Sequence, residues 1–149
     1  MEKKISVLVV DDSALIRKIL TEIINSDSRM TVIGTASNPL IARDKIKMLQ
    51  PDVITLDIEM PKMDGISFLK NLMRLRPMPV IMISTLTQKG ANATLDALEI
   101  GAVDCIAKAN LGDPKALEQQ REEVVNKIMV ASKAKVRAFN PDLFKNRSD

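Results

Sequence analysis

Five polar residues follow apolar runs of the sequence at the points where these runs end. They are Asp11 and Asp12 after the first run, Asp57 after the third, Ser84 after the fourth and Lys108 after the fifth. Crowded carboxylates repel one another unless a cation lies among them, and Mg²⁺ prefers such oxygen ligands. Together with an ammonium group and a hydroxyl, they suit the binding of a phosphoryl group. Asp57 is therefore a candidate nucleophile that would form an aspartyl-phosphate, which Lys108 would stabilise.

Each of these residues also has a simpler interpretation. The two neighbouring acids and Ser13 could cap a helix, and Asp57 could be an acid in a turn. Ser84 could be an ordinary hydroxyl at the end of a strand, and Lys108 an ordinary surface lysine. Because all of them fall at the ends of predicted strands, the combination favours a functional site.

The elements that would carry these residues alternate along the chain. Short runs rich in β-branched residues predict five strands: Ile5–Val10, Thr31–Thr35, Val53–Leu56, Val80–Ser84 and Val103–Ala107. Apolar residues at helical spacing predict five helices: Ser13–Ile24, Pro39–Leu49, Ile66–Leu75, Lys89–Ile100 and a last one after Asp113. This alternation predicts an α/β fold, with a doubly wound parallel sheet between two layers of helices. Ligands of such sheets bind beyond the carboxyl ends of the strands, where the five polar residues lie.

The ends and the faces of the helices are also predicted. We expect Asp113 to be the N-cap of the last helix and Pro114 its first residue, since both types are favoured there. Gly101 is the expected stop of the fourth helix. The apolar stripes expected to face the sheet include four leucines: Leu15, Leu40, Leu75 and Leu117.

The composition limits the classes of function. Hydrophobic residues make up 46% and charged residues 28% of the 149 residues, which is typical of one soluble globular domain. The chain contains no histidine and one cysteine, which excludes a Ser-His-Asp triad and zinc sites built from His or from several Cys. It contains no Trp or Tyr, which argues against stacking platforms for nucleic acid. No apolar stretch approaches the roughly 20 residues that span a bilayer, and the single cysteine favours a cytoplasmic location.

Four stretches resemble the receiver domain of two-component response regulators, whose fold is shared with the chemotaxis protein CheY. These stretches follow one another at the family's spacing: "VLVVDDS", "LDIEMPKMDG", "MIST" and "GAVDCIAK". Further stretches are similar, more narrowly, to the receiver half of the CheB family of chemotaxis protein-glutamate methylesterases: "ARDKIK", "LMRLRPMPVIMIS" and "LEIGAVD". The resemblance implies a CheY-like (flavodoxin-like) sheet of five parallel strands in the order 2-1-3-4-5, with five helices.

The resemblance also implies roles for the site residues. Asp57 would accept a phosphoryl group from a histidine kinase, for a CheB-like chain the chemotaxis kinase CheA. Mg²⁺ would be held in an acidic pocket by Asp11, Asp12, Asp57 and the backbone carbonyl of Glu59. Ser84 would be the switch hydroxyl and Lys108 the phosphate-binding lysine. Phosphorylation would change the face formed by the fourth strand, the fourth helix and the fifth strand, and so regulate an output domain.

Two positions depart from the family's usual pattern. Ala109 follows the lysine where the family usually has a proline, often after a cis bond. A cis bond before a non-proline residue costs roughly 2.5–4 kcal/mol, so we expect a trans bond and a redirected Lys108 side chain. Cys105 replaces a usual aromatic residue, which argues against a switch built on an aromatic rotamer and favours a small buried filler.

The expected organisation is a receiver domain over residues 1–131 and a linker or tail over residues 132–149, with the methylesterase domain absent. Residues 127–149 carry six basic and two acidic side chains, which is typical of a solvated linker. In this tail Phe139, Leu143 and Phe144 could dock on the domain. CheB-type methylesterases use a serine–histidine–aspartate site, so we do not expect this histidine-free chain to hydrolyse methyl esters by itself. An output methylesterase domain and chemoreceptors would be partners within a longer protein.

Other functions remain as alternatives. A natural stand-alone receiver would have the same site. A degenerate receiver that binds partners without phosphate turnover would keep the fold, and Ala109 and Cys105 favour it. A phosphatase of the haloacid-dehalogenase type would need a second Asp two residues after its nucleophile, where this chain has Glu59. A flavodoxin-like FMN carrier would have no use for three carboxylates beside an anionic phosphate.

Overall fold

Strands and helices alternate along the chain, as the sequence predicts. The computed structural model describes residues 3–60, 65–85 and 87–140. The strands are β1 (Ile5–Val10), β2 (Met30–Ala36), β3 (Val53–Asp57), β4 (Val80–Ser84) and β5 (Asp104–Ala107). The helices are α1 (Ala14–Asn25), α2 (Pro39–Leu49), α3 (Gly65–Leu75), α4 (Gln88–Ile100) and α5 (Leu117–Ser132). Two 3₁₀ turns, Lys108–Asn110 and Pro114–Ala116, lie between β5 and α5.

The five strands form one parallel sheet in the order β2-β1-β3-β4-β5, which confirms the predicted topology. Their alignment brings the polar strand ends to one edge of the sheet. Asp57 lies beside Ile83 of β4, and Ser84 lies beside Ala107 of β5. The residues singled out by type therefore share one edge because parallel strands end on the same side.

Helices cover both faces of the sheet. α2, α3 and α4 pack on one face, and α1 and α5 pack on the other. All five residues of β3 are buried, which explains why this strand is almost continuously apolar up to its last residue. Between the sheet and α1, the buried side chains are Ile16, Leu20 and Ile24, one on each successive turn.

Four leucines that the apolar stripes place toward the sheet are exposed instead, and that prediction is wrong. Their exposed fractions are 65% for Leu15, 55% for Leu40, 73% for Leu75 and 55% for Leu117. A helix that packs on a flat sheet buries a narrow stripe of residues three or four apart. Leu15 and Leu40 directly adjoin a buried residue of their helices and lie beside that stripe, whereas Leu75 is the last residue of α3 and Leu117 the first residue of α5.

Capping side chains fix several helix ends. Ser13 Oγ accepts a hydrogen bond from the Ile16 N–H (3.3 Å) at the start of α1. Gly101 ends α4 with φ of 136°, a conformation that favours glycine, and confirms the predicted stop. The predicted start of the last helix is wrong by one turn, because Asp113 caps the 3₁₀ turn Pro114–Ala116 and α5 begins only at Leu117. The Asp113 carboxylate accepts from the Lys115 N–H (3.0 Å), two residues on, which closes a tighter turn than an α-helix.

The segment after α5 lies against the domain. The Phe139 N–H donates to the Met73 carbonyl (2.9 Å) at the end of α3, and the side chains of Val136 and Phe139 pack on the core beneath α3 and α4. Leu143 and Phe144 lie outside the described residues. Among the helices of the described ranges, none is long and apolar enough to cross a membrane.

Candidate phosphoryl-acceptor site

Asp57, the proposed nucleophile, is the last residue of β3 and is 1% exposed. Its Oδ1 accepts a hydrogen bond from the Glu59 N–H (3.2 Å), and its Oδ2 lies 3.2 Å from Lys108 Nζ. The chain returns to this strand end at Gly65, whose N–H donates to the Ile58 carbonyl (2.7 Å). A Cβ at Gly65 would lie 2.3 Å from the Asp57 carbonyl oxygen, so only glycine permits this approach.

Asp11 and Asp12 lie beside Asp57. Ligand oxygens of the three carboxylates lie within 4.8 Å of one another. Asp11 is fully buried, and its Oδ1 accepts from the Ser13 N–H (2.8 Å). The helix cap of α1 is supplied by Ser13, so capping does not account for the two acids before it.

Lys108 joins two of the carboxylates. Its Nζ lies 3.2 Å from Asp57 Oδ2 and 3.5 Å from Asp11 Oδ1. The described residues contain no cis peptide bond, which confirms the trans bond expected before Ala109. The expected redirection of the Lys108 side chain away from the site is wrong, because its ammonium group lies among the acidic residues while the backbone enters a 3₁₀ turn.

Ser84 and Glu59 lie at the same edge with less direct contact. Ser84 ends β4 next to Asp57's neighbour Ile83 and is 8% exposed. Within the described residues, its hydroxyl makes no hydrogen bond to Asp57. The Glu59 side chain is exposed, and Glu59 meets Asp57 through its backbone N–H.

The charges at the site are unbalanced. Burial and then the repulsion from Asp11 raise the pKa of Asp57 to about 7, against the opposing effect of Lys108. Burial also raises the pKa of Asp11, although the Ser13 N–H and Lys108 act against it. Burial acts to lower the pKa of Lys108, but the two carboxylates outweigh it and the net shift is upward. The site therefore holds its carboxylates at an electrostatic cost, which an additional cation would relieve.

The donor set fits a metal ion. Asp11 Oδ2 is buried and finds no hydrogen-bond partner among the described residues, an arrangement that proteins rarely leave without a ligand. Three carboxylates, with no histidine or cysteine grouped with them in the described part of the chain, are suitable ligands for a hard divalent cation. A cleft of about 730 Å³ opens beside them, with a lining that includes Asp12, Glu59, Lys108 and residues of α3 and α4. A small ligand therefore has access to Asp12 and Lys108 through this cleft.

Two residues contribute to the site without a sequence signal that marks them. The first is Gly65, because its close approach to Asp57 depends on the path of the chain. Arg17 donates from its guanidinium to the Asp11 carbonyl (2.7 Å) and so fixes the backbone of the acidic pair. An arginine on a helix next to two acids gives no sequence signal that separates this role from a surface charge.

Cys105 is half-buried and packs against the core on the α2–α4 face. Its carbonyl accepts a hydrogen bond from Lys127 Nζ (2.5 Å). The expectation of a small apolar filler is therefore met only in part, since the residue is not fully buried.

Comparison with known proteins identifies the family. The sequence profile of the response regulator receiver domain matches residues 7–132. The protein-glutamate methylesterase/protein-glutamine glutaminase 1 of Xanthomonas euvesicatoria pv. vesicatoria (strain 85-10) is 56% identical over 140 residues, covering 94% of this chain and 39% of that protein. The protein-glutamate methylesterase/protein-glutamine glutaminase of Nitrosomonas europaea is 57% identical over 139 residues, covering 93% of this chain and 39% of that protein.

The solved structures agree. The response regulator domain of Thermotoga maritima CheB superposes with a TM-score of 0.79 at 45% identity, covering 89% of this chain and 99% of that chain. The present chain spans about 39% of the length of the two methylesterases above. It belongs to the family of response regulator receiver domains and is a receiver of the CheB type.

Proposed function

We propose that Asp57 accepts a phosphoryl group from the phosphohistidine of a histidine kinase, and that this phosphorylation controls an output domain. The observation that carries the proposal is the position of the Asp57 carboxylate at the carboxyl end of β3, 3.2 Å from Lys108 Nζ and grouped with Asp11 and Asp12. In the transfer, a carboxylate oxygen of Asp57 forms a bond to phosphorus while the bond from phosphorus to the histidine nitrogen breaks.

Mg²⁺ is the cation proposed for the acidic site. Asp11, Asp12, Asp57 and the backbone carbonyl of Glu59 would hold it. Bound there, it would supply positive charge to the transferring oxygens. The residues themselves prepare the site without it: the Glu59 N–H orients the Asp57 carboxylate, and the Ser13 N–H orients that of Asp11.

Lys108 and Ser84 respond to the new phosphoryl group in this proposal. Lys108 already donates toward Asp57 Oδ2, and it would transfer this contact to a phosphoryl oxygen. Ser84 lies one residue beyond the neighbour of Asp57 on β4, which makes it the nearest strand-end hydroxyl on that side. Closure of both side chains on the phosphoryl group would bias the face formed by β4, α4 and β5 toward a second conformation.

The proposed partners are those that a CheB-type receiver would need. A CheA-like kinase would be the phosphoryl donor, and a C-terminal methylesterase domain would be the output, reached through residues 132–149 as a linker. That domain would act on chemoreceptors in a longer protein located in the cytoplasm. The methylesterases named above support this proposal by their names and by the share of their length that this chain spans.

The test is the mass of the intact protein after incubation with acetyl phosphate, with and without Mg²⁺. We expect a Mg²⁺-dependent phosphoryl adduct on the wild type and on Asp44→Asn, a matched control at an exposed acid, and none on Asp57→Asn. An adduct on Asp57→Asn at the wild-type level would place the nucleophile elsewhere. A wild type with neither an adduct nor a spectral shift upon addition of beryllofluoride would be a degenerate receiver that acts by binding alone.

A further inference from the structure

Lys108 reaches the acidic site from the loop between β5 and α5. It directly follows Ala107, the last residue of β5, and begins the 3₁₀ turn Lys108–Asn110. The Leu111 N–H closes this turn by donating to the Lys108 carbonyl (3.1 Å). The position of the backbone before Lys108 is therefore fixed by the sheet. After Lys108 it depends on the conformation of the loop over residues 108–113.

Gln120, near the start of α5, is bonded to this loop by both ends of its amide group. The Gly112 N–H donates to Gln120 Oε1 (2.9 Å), and Gln120 Nε2 donates to the Asp113 carbonyl (2.9 Å). Gln120 itself is 3% exposed, an unusual burial for a polar side chain at a helix start. The two bonds hold two consecutive residues of the loop in one orientation relative to α5.

Among the described side chains of the loop, Leu111 is also anchored, and it acts differently. Leu111 is buried among side chains of the α1 and α5 layer and holds the loop against the core. Apolar packing is not directional, so it limits the distance of the loop from α5 more than its orientation. Gly112 has φ of 88°, and a Cβ there would lie 3.0 Å from Ile19 Cδ1. A loop with this tight path needs directional bonds, and the amide of Gln120 supplies them.

No other uncharged side chain of this length could make the same pair of bonds. The Gly112 N–H requires an acceptor and the Asp113 carbonyl a donor. Glutamate would keep the acceptor and lose the donor, and methionine would keep the length and lose both. Gly112 and Asp113 are exposed, so without Gln120 their peptide groups would bond to water and the loop would move.

We propose that Gln120 is a positioning residue that holds the loop of Lys108 so that the ammonium group meets the phosphoryl group on Asp57; this rests on the proposed phosphoryl transfer. Gln120 is distant in sequence from the acidic residues and touches none of the reacting atoms. Its effect passes through the closed 3₁₀ turn to Lys108. Loss of the two hydrogen bonds made by the Gln120 amide displaces the Lys108 ammonium group from the phosphoryl group. It leaves the carboxylates that would bind Mg²⁺ in place.

The experiment compares the wild type with Gln120→Met and with Gln119→Met, a control at the exposed neighbouring position. The rate of phosphorylation by acetyl phosphate, the Mg²⁺ dissociation constant and the melting temperature are measured for each. For Gln120→Met we expect a rate lower by about tenfold or more, as small misplacements of site groups produce, with Mg²⁺ binding unchanged. Gln120→Glu, which keeps the size and one bond, replaces Gln120→Met if that variant does not fold.

A double-mutant cycle separates positioning from general stability. If Gln120 acts through Lys108, the methionine substitution has little further effect on the rate in the Lys108→Ala background. Equal loss in both backgrounds, or an unchanged rate in Gln120→Met beside a phosphorylated wild type, would overturn the positioning role alone. A wild type that is not phosphorylated would instead overturn the proposed function.

Discussion

The ammonium nitrogen of Lys108 lies 3.2 Å from Oδ2 of Asp57, although 51 positions separate these residues in sequence. The strand order explains this contact, because β3 and β5 are the two neighbours of β4 and end at the same edge of the sheet. The same nitrogen lies 3.5 Å from Oδ1 of Asp11. One ammonium group thus pairs with two buried carboxylates, and Asp12 lies beside them. The site therefore lacks positive charge, and this determines how substitutions in it change stability and ligand binding.

Asp57→Asn should stabilise the protein without Mg²⁺ at alkaline pH. The pKa of Asp57 is raised from 3.8 to about 7 in the folded state. Between these values the folded state keeps a proton that the unfolded state has lost, so stability falls as pH rises, and the loss is complete above about pH 7. At about 1.4 kcal/mol per pKa unit, Asp57→Asn raises the free energy of unfolding at pH 8 by at most about 4 kcal/mol relative to the wild type. Urea unfolding at pH 8 and at pH 4 measures this difference, which should be nearly absent at pH 4.

The control for this prediction is Asp44→Asn, which removes an exposed carboxylate. Its free energy of unfolding should stay close to that of the wild type at both pH values. If Asp57→Asn were less stable than the wild type at pH 8, the ion pair with Lys108 would stabilise the folded state more than the burial of the carboxylate destabilises it. The site would then not lack positive charge.

Mg²⁺ should raise the melting temperature of the wild type, and this rise should shrink as pH falls below about 7. Protonation of Asp57, whose pKa lies at about 7, removes a ligand charge and opposes cation binding. Differential scanning fluorimetry with and without Mg²⁺ from pH 5.5 to 8.5 tests this. Asp11→Asn, which alters the buried Oδ2 that has no partner within the described residues, should abolish most of the shift. A shift of the same size at every pH would argue that the cation binds away from Asp57.

Lys108→Ala should weaken beryllofluoride binding but preserve or strengthen Mg²⁺ binding. The ammonium group contacts the phosphoryl acceptor, so its removal deprives a phosphoryl mimic of a donor. The same removal frees Asp11 and Asp57 from a competing positive charge, which favours a divalent cation. Titrations of both ligands measure the two effects, with Lys18→Ala as a control at an exposed lysine. Parallel loss of both affinities would indicate that Lys108 mainly supports the fold.

The parallel sheet and the residues that meet at its carboxyl edge could be predicted from the sequence because both follow from periodic signals, whereas the strand order was implied by the resemblance to the receiver family. Apolar runs of strand length that alternate with helical stripes define the parallel sheet, and parallel strands end at one edge. Asp57 and Lys108 were therefore expected to be neighbours before any distance was known. Roles in catalysis go beyond this, since geometry shows which groups meet and not which reaction they perform.

What the sequence did not reveal depends on the path of loops and on how the helices are oriented against the sheet. The exposure of Leu15 and Leu75 depends on how far each helix turns toward the sheet, and a stripe of leucines does not fix that angle. Lys108 lies in the site despite Ala109, on a loop whose turn is closed by the Leu111 N–H and which is bonded to the Gln120 side chain. The residue types alone do not indicate which side chain bonds to the loop.

Gly65→Ala should destabilise the protein much more than Gly34→Ala, a glycine substitution in strand β2. The added Cβ would lie 2.3 Å from the Asp57 carbonyl oxygen and 2.8 Å from the Ile58 Cα, both backbone atoms that cannot rotate away. Forced shifts of a packed backbone cost on the order of 1–3 kcal/mol or more, and here they would also move the Asp57 carboxylate. Gly34→Ala is the matched control, because its nearest contact at 2.9 Å is the end of the flexible Leu49 side chain. Urea unfolding of both variants, with acetyl phosphate labelling at a temperature where each is folded, should show a large loss of stability and of labelling for Gly65→Ala alone. Equal losses in the two variants would mean that the start of α3 can move away from β3, and that Gly65 does not hold the site.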